Sequence, residues 1–257
     1  MKLKAFNYKG NTFSYAEYGN LAGFPILIQH GLIASIRDCE LFQSLINAGR
    51  RVLCIARPGY GESSTYQLKN ISEWGIIVSH LVKYLHITQF DQIGTSSGAP
   101  YAYAIAHINH VKVRNTYIFS GTPALYSSEI AVHWPYPIDK KANIPDLQIL
   151  AKNIFFSNIS GSDNEKYDIV DSMNNNCFGI ALDLQIRCRD WGFELSKIDS
   201  TVYMQHAKND SQVPFITAEL TAKLLPKCMF ELIENGGHFS KELFDAFLQK
   251  IVLEKST

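Results

Sequence analysis

"FDQIGTSSGAPYAYAIAHI", residues 90–108, is the stretch on which the fold turns. It reads as a short buried strand, a turn bounded by Gly94 and Gly98, and an Ala-rich helix. Gly94-Thr95-Ser96-Ser97-Gly98 spells G-x-S-x-G. Chance produces that string in roughly one chain of this size in ten, so its neighbours must carry the argument. A serine on a tight strand-to-helix turn is pushed outward at the C-terminal edge of a sheet. Glycines flank it because side chains there would clash as strand and helix close together. Ser96 also stands at a helix N-terminus, where backbone N–H groups and the helix dipole favour negative charge. These are the needs of an acyl-transfer nucleophile; the plain alternative is a structural turn serine.

Outward from this stretch, strand-length apolar runs alternate with helix-length segments. The strand runs are 24–31, 51–61, 90–98, 113–121, 201–210 and 228–237. The helical candidates are 38–48, 71–85, 97–108, 214–225 and 239–252. Continuous apolar strands between helices predict a mostly parallel sheet covered on both faces, an α/β fold. The alternation breaks between about 123 and 198. Prolines at 123, 135, 137 and 145 lead into Leu147, Leu150, Ala151, Ile154 and Phe155, which have helical spacing. Ser162 and Glu165 read as a capping box opening a further helix. The expectation is a core of 1–122 and 199–257 with a helical cap insert at 123–198, too long for an ordinary loop.

Composition narrows the class. The chain has 257 residues, 46% hydrophobic and 19% charged, with 24 basic and 24 acidic residues. No basic excess points to nucleic acid or an anionic membrane, and no apolar run approaches a membrane span. The N-terminus lacks the apolar stretch of a secretory signal. Cysteines 39, 54, 177, 188 and 228 are scattered, without a C-x-x-C pair. That predicts reduced thiols in a cytoplasmic protein, with no disulfide framework, zinc site or other metal.

Serine needs a base, and the base an orienting acid. Of eight histidines, only His238, in "NGGHFS", follows a predicted strand on a glycine-rich loop at the same sheet edge. Asp210, in "AKNDSQVP", follows the preceding strand. Their plain alternatives are a surface-loop histidine and a helix N-cap. "QHGLIAS" (29–35) ends an early strand, so the N–H of Leu32 is one candidate oxyanion donor and that of Ser97 the other. His30 is expected to shape this loop rather than act as a base. His107 and His110 lack a third ligand of suitable spacing and read as a surface pair at a helix end. "GYGESS" lacks the third glycine of a dinucleotide loop. Trp134, Tyr136, Phe155, Phe156 and Trp191 make the insert aromatic, which core packing explains for most of them.

The stretches "HGLIAS", "RPGYGESS", "GTSSGAPYA", "NDSQVP" and "NGGHF", in this order, resemble the α/β-hydrolase fold from end to end. Within it the chain is similar to the prolyl-aminopeptidase-like and esterase-like hydrolases. The resemblance implies Ser96 as nucleophile, His238 as general base and acid, Asp210 as orienting acid, and Leu32 and Ser97 as oxyanion donors, with no cofactor. It implies a small to medium, partly apolar ester or related acyl substrate. Two departures stand out: Ala56 precedes "RPGYG" where Asp is usual, and Ala207 follows His206 where Gly is usual. The first concerns the stability of a loop, the second the turn into Asp210. Ser97, where prolyl aminopeptidases carry Trp, argues away from that activity. Amide cleavage, cofactor-free perhydrolysis or C–C cleavage at the same site remain rivals, as does a ligand sensor that kept the triad. An Asp nucleophile is excluded, because position 96 is Ser.

Overall fold

The computed structural model describes residues 3–253, so residues 1–2 and 254–257, the outer ends of the expected core segments, lie outside the described residues. Eight strands form one sheet: β1 (Lys4–Tyr8), β2 (Asn11–Gly19), β3 (Pro25–Gln29), β4 (Arg51–Ile55), β5 (Phe90–Thr95), β6 (Val113–Phe119), β7 (Thr201–Ala207) and β8 (Cys228–Ile233). Their spatial order is β1-β2-β4-β3-β5-β6-β7-β8. The six strands read from apolar runs are the parallel ones, β3 to β8. They are continuous apolar runs because both faces are covered.

β1 and β2 add an antiparallel hairpin that the sequence reading did not assign. Its signal is alternation: Phe6 and Tyr8 on β1, Phe13 and Tyr15 on β2 are buried, and Lys9 and Gly10 turn between them at positive φ.

The helices are α1 (Gln43–Asn47), α2 (Ile71–Tyr84), α3 (Ala99–Ile108), α4 (Ser128–Ala131), α5 (Ile144–Ala151), α6 (Tyr167–Ile186), α7 (Phe215–Lys223) and α8 (Lys241–Leu253). Strand alternation sends Leu27 and Leu53 to one face, against Trp74 and Val78 of α2 and Ile105 of α3. Ile26, Ile28 and Val52 face the other side, against Leu45 of α1 and Phe244 and Leu248 of α8. Each such buried aliphatic side chain contributes about 1.5–3 kcal/mol through removal from water.

Between β6 and β7 lie α4, α5 and α6. The capping box expected at Ser162 is not formed. A 3-10 turn occupies Gly161–Glu165, and α6 starts at Tyr167 with Lys166 at its N-cap and no side-chain cap bond. Gly161, at φ +61, turns the chain and keeps Ser162 inside the 3-10 turn. α6 itself is interrupted: Asn175, Asn176 and Cys177 all take left-handed φ, from 50° to 61°.

Candidate active site

The site lies at the C-terminal edge of the parallel strands, where side chains from separate loops converge. β5 ends at Thr95, and Ser96 takes φ +47, a left-handed conformation costly for a residue with a Cβ. The following turn, Ser96–Gly98, leads directly into α3. The flanking glycines are required by contact. A Cβ on Gly98 would stand 2.1 Å from the Gln29 carbonyl oxygen, and one on Gly94 2.9 Å from Ala102 Cβ. The Ser96 carbonyl accepts from Thr122 N–H at 2.9 Å, which braces the strained residue from the end of β6.

The three residues singled out for chemistry meet. His238 Nε2 lies 2.8 Å from Ser96 Oγ. His238 Nδ1 lies 2.8 Å from Asp210 Oδ2. The carboxylate can only accept, so Nδ1 carries the proton and Nε2 is left to accept from the serine hydroxyl. Asp210 Oδ1 accepts from the backbone N–H groups of Gln212 and Val213, each at 2.9 Å. The carboxylate therefore closes a local turn through one oxygen and orients the imidazole through the other. It is not the N-cap of the next helix; Pro214 occupies that position.

Burial pushes the Asp210 carboxyl upward, but the neighbouring imidazoles of His206 and His238 and the Val213 amide outweigh it and hold it well below the usual carboxylate range. It stays anionic at neutral pH. His206 precedes the turn into Asp210. Its Nε2 donates to the Val213 carbonyl at 2.8 Å and lies 3.3 Å from Asp210 Oδ2, so it is a second imidazole on the same carboxylate. A histidine four residues before the acid was its only trace in the sequence.

The oxyanion candidates flank the serine. Ser97 is buried in the turn immediately after it. Gly31, which precedes Leu32, borders Ser96 closely enough that a Cβ there would stand 3.8 Å from Ser96 Cβ. His30 shapes this loop, as expected. Its Nε2 accepts from Arg57 N–H at 3.2 Å, so Nδ1 donates to the Gly31 carbonyl at 2.8 Å. Burial, and then the charge of Arg57, hold the His30 imidazole well below its ordinary value, in its neutral form.

Ala56 leaves the loop after β4 well tied. Ser63 Oγ donates to the Ala56 carbonyl at 2.9 Å, and Gly59 N–H to the Ser64 carbonyl at 2.9 Å. Arg57, Tyr60, Tyr101 and Asp183, all buried, meet beneath the loop that follows β3. The sequence reading missed this cluster; charged residues in otherwise apolar surroundings were its only sign. His107 stacks on Phe193 with ring centroids 5.3 Å apart, and Trp191 stacks on Tyr103 inside the core. Among the described residues no group of His, Cys, Asp and Glu could hold a metal, and no helix is long and apolar enough to cross a membrane.

Comparison with solved proteins finds the same architecture over nearly the whole chain. An esterase from Exiguobacterium antarcticum superposes with a TM-score of 0.74 at 20% identity, covering 95% of this chain and 96% of its own. A bromoperoxidase from Bacillus anthracis gives 0.71 at 20% identity, covering 99% of each chain. MGS-M2, an enzyme from a Medee basin deep-sea metagenome library, gives 0.74 at 17%, covering 99% of this chain and 98% of its own. At the level of sequence, the uncharacterized hydrolase YcgS of Bacillus subtilis is 27% identical over 99 residues, 38% of this chain. That match spans 34% of the YcgS length. No family model matches the chain.

Proposed function

The chain has the α/β-hydrolase fold, and on that premise we propose that it is a serine hydrolase cleaving a carboxylic ester or related acyl bond through an acyl-enzyme. The reading rests on one observation: Ser96 Oγ, His238 and Asp210 form an unbroken chain of 2.8 Å contacts, with the serine in a left-handed turn at the sheet edge.

In the proposed cycle His238 Nε2 takes the proton of Ser96 Oγ as the oxygen attacks the acyl carbon. The imidazolium that forms faces an Asp210 carboxylate held anionic, so positive charge develops beside negative charge. The carbonyl oxygen becomes an anion against the N–H groups of Leu32 and Ser97. Loss of one such donor costs on the order of 3 kcal/mol in the barrier. His238 then gives its proton to the leaving oxygen, and the alcohol departs. Water, deprotonated by the same imidazole, attacks the acyl-enzyme and releases the acid. The insert between β6 and β7 acts as a cap that supplies an apolar pocket for a small to medium acyl substrate.

Labelling with a fluorophosphonate, with the modified peptide mapped by mass, tests this reading. Near-stoichiometric modification of Ser96, abolished in Ser96→Ala, is the expected result. A folded, monodisperse protein that takes up no label would overturn it. A panel of esters, amides and peroxide acceptors then separates ester hydrolysis from amide cleavage and perhydrolysis.

A further inference from the structure

Behind the oxyanion loop stands a charged cluster that the proposed cycle does not use. Arg57 is fully buried after β4. Its Nη1 donates to the His30 carbonyl at 2.5 Å and its Nη2 to the Gly31 carbonyl at 2.9 Å. The same guanidinium meets Asp183 of α6 through Nη2 at 2.6 Å and Nε at 3.3 Å. Tyr60 Oη lies 2.9 Å from both the Leu32 carbonyl and Asp183 Oδ2, sharing its proton between them. Tyr101 Oη, from the helix that follows the nucleophile, donates to Asp183 Oδ1 at 2.5 Å. The guanidinium carbon sits 4.6 Å and 5.1 Å from the Tyr101 and Tyr60 ring centroids. Three consecutive carbonyls, those of His30, Gly31 and Leu32, are thus held by one assembly.

Peptide geometry gives this arrangement its consequence. The Gly31 carbonyl and the Leu32 N–H belong to one peptide plane. Among the described residues no peptide is cis, so the two groups point in opposite directions. Anchoring the carbonyl on Arg57, with His30 Nδ1–H as a second donor, fixes the direction of the N–H. The guanidinium hydrogen bond to that carbonyl also polarises the peptide and strengthens its N–H as a donor. A buried ion pair is weak evidence for stability, because apolar packing of the same volume holds elements together as well. Apolar packing cannot aim a carbonyl.

We propose that Arg57 and Asp183 are positioning residues of the oxyanion site, and that the insert, through Asp183, completes that site rather than merely covering it. The proposal rests on the serine-hydrolase reading. Arg57 aims the Leu32 N–H, Asp183 fixes and neutralises Arg57, and Tyr60 secures the next peptide.

The test uses the full chain with p-nitrophenyl acetate as substrate. Phenylboronic acid serves as inhibitor, since its tetrahedral serine adduct places a negatively charged oxygen in the oxyanion site. Arg57→Lys keeps the charge but loses the fork that spans both carbonyls. The double variant Arg57→Met/Asp183→Leu leaves neither charge unpaired in the interior, the main folding cost of removing either partner alone. Tyr60→Phe is milder still. The expected result is a fall in kcat of about 10- to 100-fold for the first two variants and a few-fold for the third, with KM within about twofold. Phenylboronic acid should weaken in proportion to kcat. A folded variant lacking the fork that keeps wild-type kcat, or one that changes KM alone, overturns the proposal while the serine-hydrolase reading stands. A wild-type protein inert to both ester and fluorophosphonate overturns both.

Discussion

Ser96 holds φ +47 where β5 turns into α3, hemmed in by the close approaches at Gly94 and Gly98. Such strain costs about 1–3 kcal/mol and persists only where neighbours over-determine the backbone. Gly98 is the tightest of these constraints, since the three atoms nearest its missing Cβ, at 2.1–2.7 Å, are backbone of Gln29 and His30. Backbone cannot rotate away as a side chain can. Gly98→Ala should therefore destabilise the protein by about 2–3 kcal/mol in urea unfolding and slow fluorophosphonate labelling with it. Unchanged stability would mean that the elbow closes less tightly than these contacts require. At this scale Ser96, Asp210 and His238 were legible, because each follows a strand within a short stretch that dictates its own turn. Arg57 stands in a turn motif whose sequence says nothing of the partners above it.

Within the insert, α6 faces the loop after β3 with like charge. Asp38, in that loop, lies within the repulsive field of Asp168 and Asp171 of α6. Burial, then repulsion from Asp168, Asp171 and Glu40, push its carboxyl up to about 6. The native state therefore keeps a proton that the unfolded chain, at about pH 3.9, gives up. Between those values stability falls as pH rises, and above about 6 the penalty is fully present. Asp38→Asn should raise the thermal midpoint by about 2–4 °C at pH 7.5 and leave it unchanged at pH 3.5. Equal shifts at both pH values would show that the effect is packing, not charge. The β1–β2 hairpin belongs to this scale too. Its pattern of two was present in the sequence, but it lies before the parallel runs and shares none of their continuous apolar character.

Across the whole molecule, core and insert are joined by a buried ion pair between residues 126 positions apart. An unpaired buried charge costs about 3–5 kcal/mol, against a total stability of about 5–15 kcal/mol for a domain. Trp191, buried and stacked on Tyr103 of α3, adds apolar contact across the same boundary. Replacing residues 124–197 with a short Gly-Ser linker should leave a core without a cooperative thermal transition by circular dichroism. A core that melts sharply near the wild-type temperature would show that the insert is dispensable for folding.

The parallel core was legible in the sequence, as were the strand-to-helix turn at Ser96 and the strand-end loops that carry Asp210 and His238. Each is written in local physics: apolar runs buried on two faces, glycines where two backbones touch, and short loops at the ends of strands. It took the folded chain to show that His206 lies beside the Asp210 carboxylate, that Asp183 meets Arg57, and that the capping box at Ser162 gives way to a 3-10 turn. The first two pairings join side chains that carry no local signature of their partners. Chain topology brings them together, and the cost of burying charge then fixes which groups must meet.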